Sequence, residues 1–377
     1  MLESPGWGFT VLSFLLIIGP LIFIHELGHY FVGRWFGVKA DAFSIGFGRE
    51  VVGWTDKRGT RWKLAWLPLG GYVKFAGDMN PASQPTDAWL SLPPAERART
   101  FQAKPVWQRF LIVLAGPMTN FLFAIVVFCF VFAAWGAPTT PPVIDQIQQG
   151  SAAEAAGLRP GDRFISVAGR SVDRFEQVQS LVRLRPNERI GLEIERGGQR
   201  LELAAVTGSS ALVDRFGNEV KIGLLGVSGV QGEIRKLAPT EVLGESVRYT
   251  FATVRMITDT LGQIVTGQRS VKEMGGPLKI AQFSGEQATL GWFNFILFMT
   301  MISINLGFIN LLPIPLLDGG HLLFYMIEGV RRKPINPEAM EWAFRAGLTA
   351  LLALMIFVTF NDLASFGLWK GLGGLIG

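Results

Sequence analysis

The chain has 377 residues, 49% of them hydrophobic and 17% charged, with a net charge of +5. Soluble proteins carry about 25% charged residues; here the deficit falls in four long apolar blocks, which excludes an ordinary soluble enzyme and marks an integral membrane protein with a soluble part. The basic excess is modest and forms no nucleic-acid patch, and the single cysteine, Cys129, excludes an intrachain disulfide.

The first apolar block runs from Phe9 to Gly33, with Gly19-Pro20 as a potential kink. Glu3 is its only early charge and no small-residue cleavage site follows, so it reads as a retained span rather than a signal peptide. Near its end stands His25-Glu26-Leu27-Gly28-His29. Residues four apart share a helix face. His25 and His29 can therefore hold one metal ion, with Glu26 beside them to activate a water. Ionisable groups in a membrane-length segment are costly and point to function.

Residues 34–109 carry twelve Lys and Arg against six Asp and Glu. Within them, 43–48 and 61–74 alternate and are punctuated by glycine, which predicts short strands or hairpins. Their aromatic content suits either a sheet dipping into the membrane surface or an ordinary hairpin beside it. Residues 78–100 read as a loose surface loop. A second, uncharged span runs from Phe110 to Gly136; its Asn120 reads as a helix–helix hydrogen-bonding residue.

Pro138 to Pro142 reads as a linker, after which the composition turns soluble. Strands are expected over 143–147, 163–167, 189–196 and 200–206, the last two joined at Gly197-Gly198, and helices after Gly150 and over 175–184. The Ala155-to-Asp162 turn (A-A-G-L-R-P-G-D) makes residues 138–228 resemble a PDZ domain, a fold that binds extended peptides at a sheet edge; a purely steric filter is the alternative. Leu243, Val247, Phe251, Val254, Ile257, Leu261 and Ile264 then form one helical stripe, which either packs on that domain or lies on the membrane.

The third span, Gly291 to Leu312, runs into Asn310-Leu-Leu-Pro313-Ile-Pro315-Leu-Leu-Asp318-Gly-Gly-His321. Two prolines two residues apart break the helix, at a depth where irregular backbone is tolerated only against protein or a wet cavity. A catalytic zinc takes three protein ligands. After His25 and His29, Asp318 is a better third than Cys129 because the open backbone leaves room for substrate and water. His321 reads as a supporting residue, and Asn310 as a helix cap or a substrate-contacting group. The fourth span is Phe344 to Phe360, before a glycine-rich tail. The basic 34–109 and 331–345 loops place one side of the membrane inside and the soluble domain outside. The chain thus divides at 1–36, 37–108, 109–137, 138–228, 229–288, 289–328 and 329–377: a polytopic α-helical membrane protein with four spans, a membrane-associated β-region and an α+β PDZ domain.

The H-E-x-x-H at 25–29 with N-x-x-P-x-P-x-L-D-G-G at 310–320 resembles the site-2 protease family of intramembrane zinc metalloproteases. Phe43–Gly48, Gly116-Pro117-x-x-Asn120, the PDZ insertion and Gly276–Ala281 extend the likeness to its bacterial RseP-type subgroup. The resemblance implies Zn2+ on His25, His29 and Asp318, Glu26 as the catalytic base, and substrate held by Asn310, Pro313, Pro315 and a β-strand of residues 43–76. It implies an inner-membrane enzyme, with its PDZ domain periplasmic and its site toward the cytoplasm. The implied partners are the lipid bilayer and a single-pass membrane protein, of the anti-sigma factor or remnant signal-peptide type. Relatives of this subgroup with two tandem PDZ domains differ from this chain, where one is expected.

Overall fold

In the computed structural model, the residues described are 5–77, 89, 91–213, 219–230, 232–267 and 275–365. In chain order the elements are α1 (Trp7–Trp35), β1 (Ala40–Thr55), β2 (Arg61–Phe75), α2 (Val106–Trp135), β3 (Ala137–Thr139), β4 (Ile144–Ile147), β5 (Arg163–Val167), β6 (Arg170–Ser171), α3 (Phe175–Arg183), β7 (Arg189–Arg196), β8 (Gln199–Val206), β9 (Gly208–Val213), β10 (Glu219–Leu224), β11 (Val227–Gly229), β12 (Glu233–Arg235), α4 (Pro239–Val265), α5 (Pro277–Thr289), α6 (Trp292–Leu311), α7 (Asp318–Arg331) and α8 (Pro337–Ser365). Single helical turns occupy Pro94–Arg97 and Ala152–Ala155. Most of the expected loop 78–100 and all of the tail beyond 365 lie outside the described residues.

Four helices are long and apolar enough to cross a membrane: Trp7–Trp35, Val106–Trp135, Trp292–Leu311 and Glu338–Leu363. The first continues unbroken through Pro20, and the fourth starts earlier than its apolar block because Pro337 opens it at the first helical position. Contacts divide the chain into two compact units, one of residues 1–127 and 275–363, the other of 128–274 and 364–377.

In the first unit the long helices meet through small residues, as helices do where lipid removes the hydrophobic drive. A side chain at Gly28 would strike the Ala115 carbonyl of α2. The Thr119 hydroxyl donates to the Ile24 carbonyl of α1 at 3.0 Å, and Ser303 of α6 donates to the Asn120 carbonyl of α2 at 3.0 Å. Helix α5 is held at its N-terminus by α8. Buried Asp362 accepts from the backbone amides of Gly276 (3.1 Å) and Lys279 (3.2 Å), and the Lys279 ammonium lies 3.8 Å away. An acidic group at a helix N-terminus satisfies amides that have no partner within the helix.

β1 is longer than expected, β2 falls within one residue of its expected bounds, and the two form one antiparallel hairpin whose strands bend back on themselves. Residues 42–45 are flanked on both sides, by 61–64 and by 71–74, while 52–55 pair with 61–64 on their other side. Asp56 closes the turn, accepting from the amides of Arg58 (2.8 Å) and Thr60 (2.9 Å). The inner end packs Phe43 between Tyr30 and Trp62. The outer end leaves Val51, Val52, Trp54 and Trp66 largely exposed, the surface expected of a hairpin that meets lipid.

The second unit centres on the four-stranded sheet β6-β5-β7-β8, with β4–β11 and β9–β10 as antiparallel pairs around it. Phe175, Val178, Leu181 and Val182 of α3 are buried against Ile144, Phe164, Ile190, Leu192 and Ile194. The β7–β8 turn places Gly197 and Gly198 at φ 58° and 80°, which glycine alone adopts freely. Residues 138 and 139, expected within a linker, instead belong to a strand, Ala137–Thr139, paired with β12.

Helix α4 packs on this sheet unit. Its buried residues are Val242, Glu245, Ser246, Thr250, Thr253 and Gln263. Glu245 and Asp259 pair with Arg174 and Arg170, and Gln263 donates to the Leu184 carbonyl at 2.6 Å. The expected stripe is split: Leu243 (61% exposed) and Phe251 (69%) face outward, while Val247, Val254, Ile257, Leu261 and Ile264 are half-buried. The helix is amphipathic as expected, and its polar face meets polar partners along α3 and β6.

Asp162, 1% exposed, accepts from Arg196 Nε at 2.7 Å and from the Arg159 amide at 2.8 Å. Burial works against its ionisation, yet Arg196 and the Arg159 amide hold the carboxyl below its ordinary range. A depressed carboxyl contributes stability that is present above about pH 4 and lost as pH falls through the folded-state value. Arg196→Ala should destabilise this unit by about 1–3 kcal/mol, seen as faster amide hydrogen exchange in β5 and β7, and should flatten the acid dependence of that exchange.

Candidate metal centre

His25 and His29 lie one turn apart on α1, and Asp318 is the first residue of α7. The fold brings them together. Asp318 Oδ2 is 3.1 Å from His25 Nε2 and 3.5 Å from His29 Nε2, and the two nitrogens are 3.3 Å apart. Four ligands at the usual zinc–nitrogen distance of about 2.0–2.1 Å in a tetrahedron are separated by about 3.3–3.4 Å. The three atoms therefore have the mutual spacing of one face of such a tetrahedron. Asp318 Oδ2 is buried without a satisfied hydrogen bond, although a buried carboxylate oxygen ordinarily has one. A divalent cation would supply the missing partner, and among the described residues this is the one cluster of three such groups.

Glycines permit the approach. The ring of His29 occupies the space that a side chain on Gly116 would fill, and its Nδ1–H donates to the Ile112 carbonyl at 2.9 Å. That bond leaves Nε2 as the lone-pair nitrogen. At the start of α7, side chains on Gly319 and Gly320 would run into the carbonyls of Leu311, Leu312 and Ile314. The Asp-Gly-Gly run is thus what lets α7 begin against the end of α6. Between those helices Leu316 takes φ 84°, a left-handed conformation costly for a branched side chain. Asp318 is held at the N-terminal end of a helix, where negative charge is favoured.

Glu26 is buried beside the trio, with the Val73 backbone amide close to its carboxylate. Gly71 makes room for this contact: a side chain there would touch Ile22, the Ser44 carbonyl and the Glu26 side chain. Strand β2 therefore passes directly over Glu26.

Asn310, Pro313 and Pro315 stand on the segment leading into Asp318. Asn310 is half-buried, Pro313 exposed, and Pro315 lies close to Gly347 of α8. His321 is outside the trio, its ring 4.9 Å from that of Phe344. Cys129 belongs to the other compact unit. Asn120, expected to hydrogen-bond between helices, does so: its amide on α2 lies 3.1 Å from His25 Nδ1 on α1.

The profile of Peptidase family M50 matches residues 13–354. Over 94% of the chain and 96% of the relative, the sequence is 42% identical to "Putative zinc metalloprotease Atu1380" of Agrobacterium fabrum. A like-named protein of Rhizobium meliloti is 41% identical over the same shares. Metalloprotease MmpA of Caulobacter vibrioides is 35% identical over 98% of this chain and 99% of its own. Among solved structures, the PDZ domain of an SdrC-like protein from Listeria monocytogenes aligns with 25% of this chain and 92% of its own, at a TM-score of 0.20 and 10% identity.

Gly116→Ala should push the His29 ring off its carbonyl partner. The expected result is zinc binding weaker by about 10–100-fold with helix content unchanged, measured by chelator competition and circular dichroism on the purified protein.

Proposed function

The chain belongs to peptidase family M50 and is a zinc metalloprotease, and we propose that it hydrolyses peptide bonds within or beside the transmembrane segments of single-pass membrane proteins. The observation that carries this reading is the placement of the His25–His29–Asp318 trio and Glu26 on helices of membrane length and at a break between them.

In this reading His25, His29 and Asp318 hold the zinc. Zinc supplies a Lewis acid for the scissile carbonyl and brings the pKa of a bound water to about 7. Glu26 takes the proton of the attacking water and passes it to the leaving amine. The Val73 amide, close to the Glu26 carboxylate, would help orient it.

A helical substrate hides its peptide bonds in its own hydrogen bonds, so cleavage requires an extended segment. Residues 71–74 pair with 42–45 on one side only. Their outer edge, from which the Val73 amide reaches Glu26, is where a substrate strand would add. Asn310, with Pro313 and Pro315 on the irregular segment, would hold that strand or stabilise the developing oxyanion. Among the described residues the Asn310 side chain makes no hydrogen bond that would compete with this role.

The enzyme is placed in a bacterial inner membrane with both basic loops cytoplasmic. The sheet unit, read as a single PDZ domain, then lies in the periplasm, where it binds or sterically filters arriving chains. Exposed apolar residues of α4, Leu243 and Phe251, support this arrangement. Tyr249 packs on Phe128 and Phe132 of α2 at 4.8 and 5.7 Å. Phe128 lies seven residues, about 10 Å of helix, before the end of that helix at Trp135, which in this reading would put Tyr249 at the depth of the outer leaflet. The substrates are of the anti-sigma factor or remnant signal-peptide type, cut after another protease has removed their outer part.

Glu26→Gln should retain stoichiometric zinc and lose about 10²–10⁴-fold in the rate of cutting a tagged single-pass substrate by the reconstituted enzyme. Asp318→Ala should lose both zinc and cleavage. Undiminished cleavage by Glu26→Gln would remove the protease reading.

A further inference from the structure

Asn120 is completely buried in the middle of α2. Its side-chain nitrogen position lies 3.1 Å from His25 Nδ1, and its other amide atom, Oδ1, is buried with no partner. A buried amide without hydrogen bonds costs several kcal/mol in an apolar setting. This side chain has one polar contact to set against that cost, and it is with a residue of the metal trio.

The contact has two forms that place atoms almost identically, because amide oxygen and nitrogen are interchangeable in shape. With the NH2 group toward the ring, Nδ1 must accept, so a neutral His25 carries its proton on Nε2 and has no lone pair to give to a metal. With Oδ1 toward the ring, Nδ1–H donates to the amide and Nε2 presents its lone pair beside Asp318 Oδ2. Histidine 29 has no such choice, since a backbone carbonyl can only accept from its Nδ1–H. The two histidines are therefore supported differently, one by fixed backbone and one by a side chain that can turn.

We propose that Asn120 is the positioning residue for His25: with its carbonyl oxygen toward the ring it accepts the Nδ1 proton, and so sets the tautomer in which Nε2 is a metal ligand. The backbone places Asn120 for this task. Its own carbonyl accepts from Ser303 of α6, and Thr119 beside it donates to Ile24 next to His25, so three helices fix the distance between amide and ring. This rests on the zinc reading of the trio, and the assay below reads zinc binding rather than proteolysis, so the assignment of Asn120 can fail while the protease reading stands.

The test uses the full chain in detergent and two variants. Asn120→Leu removes the acceptor and should weaken zinc binding by about 10–100-fold, the usual effect of losing the group that holds a ligating histidine. Asn120→Asp has nearly the same shape and can only accept when ionised, so it should bind zinc as tightly as the unaltered chain. Cobalt-loaded protein should show the same visible absorption for Asn120→Asp as for the unaltered chain. A purely structural asparagine predicts the opposite for the conservative change: a donor to Nδ1 is replaced by an acceptor, and affinity falls as far as in Asn120→Leu. That result, or zinc affinity unchanged in Asn120→Leu, overturns the proposal. If Asn120→Leu does not fold, Asn120→Asp decides alone: retained zinc with an unaltered cobalt spectrum supports the assignment, and lost zinc refutes it.

Discussion

Two histidines and two carboxylates are buried among apolar helices, and the first unit of this protein is arranged around their need for partners. A lone ionised group in such surroundings costs far more than a folded protein can spare. His25, His29 and Asp318 relieve one another by converging to within 4.8 Å, and a shared cation would complete what they leave unsatisfied. The requirement reaches outward. The rings can meet Asp318 only if α1 comes close to α2, which Gly28 and Gly116 allow, and only if α7 starts against the end of α6, which Gly319 and Gly320 allow. Glycine is used here for the absence of a side chain, because backbone, or at Gly116 the His29 ring, lies where a Cβ would be.

The same economy explains the broken helix. A continuous α6 would carry its carbonyls past Asp318 in closed hydrogen bonds. The Pro313 and Pro315 interruption instead gives a tight turn in which the Ile314 amide reaches the Leu312 carbonyl at 2.7 Å and Leu316 is forced to positive φ. The turn frees backbone beside the metal centre and presents a carboxylate at a helix start. On the other side of the centre, β2 brings an amide to Glu26 and an unpaired edge with it. A helix break on one wall and a strand edge on the other are the two features a site needs to receive an extended chain where most backbone is helical.

The second unit follows a different rule. Its sheet and α3 bury a conventional apolar cluster, whereas α4 is attached by ion pairs and polar side chains as well, and leaves Leu243 and Phe251 exposed.

Local patterns carried much of this molecule. Apolar runs located the four long helices to within a few residues, except where Pro337 extended the last. Alternation and glycine pairs located β5, β7, β8 and the turn at Gly197-Gly198. The spacing of His25 and His29 required one helix face, and the two prolines before Asp318 required a break, because helix geometry and proline sterics act within a few residues. What lay beyond was decided by contacts between distant segments. Residues 137–139 became a strand only because 233–235 return to pair with them. The face of α4 that packs was chosen by Arg170 and Arg174. Asn120 became His25's neighbour because glycines on two helices let their backbones touch. Periodicity tells which residues share a face, and cannot tell what that face will meet; only the folded chain, by bringing residue 318 to residues 25 and 29, turned separate polar residues into one centre.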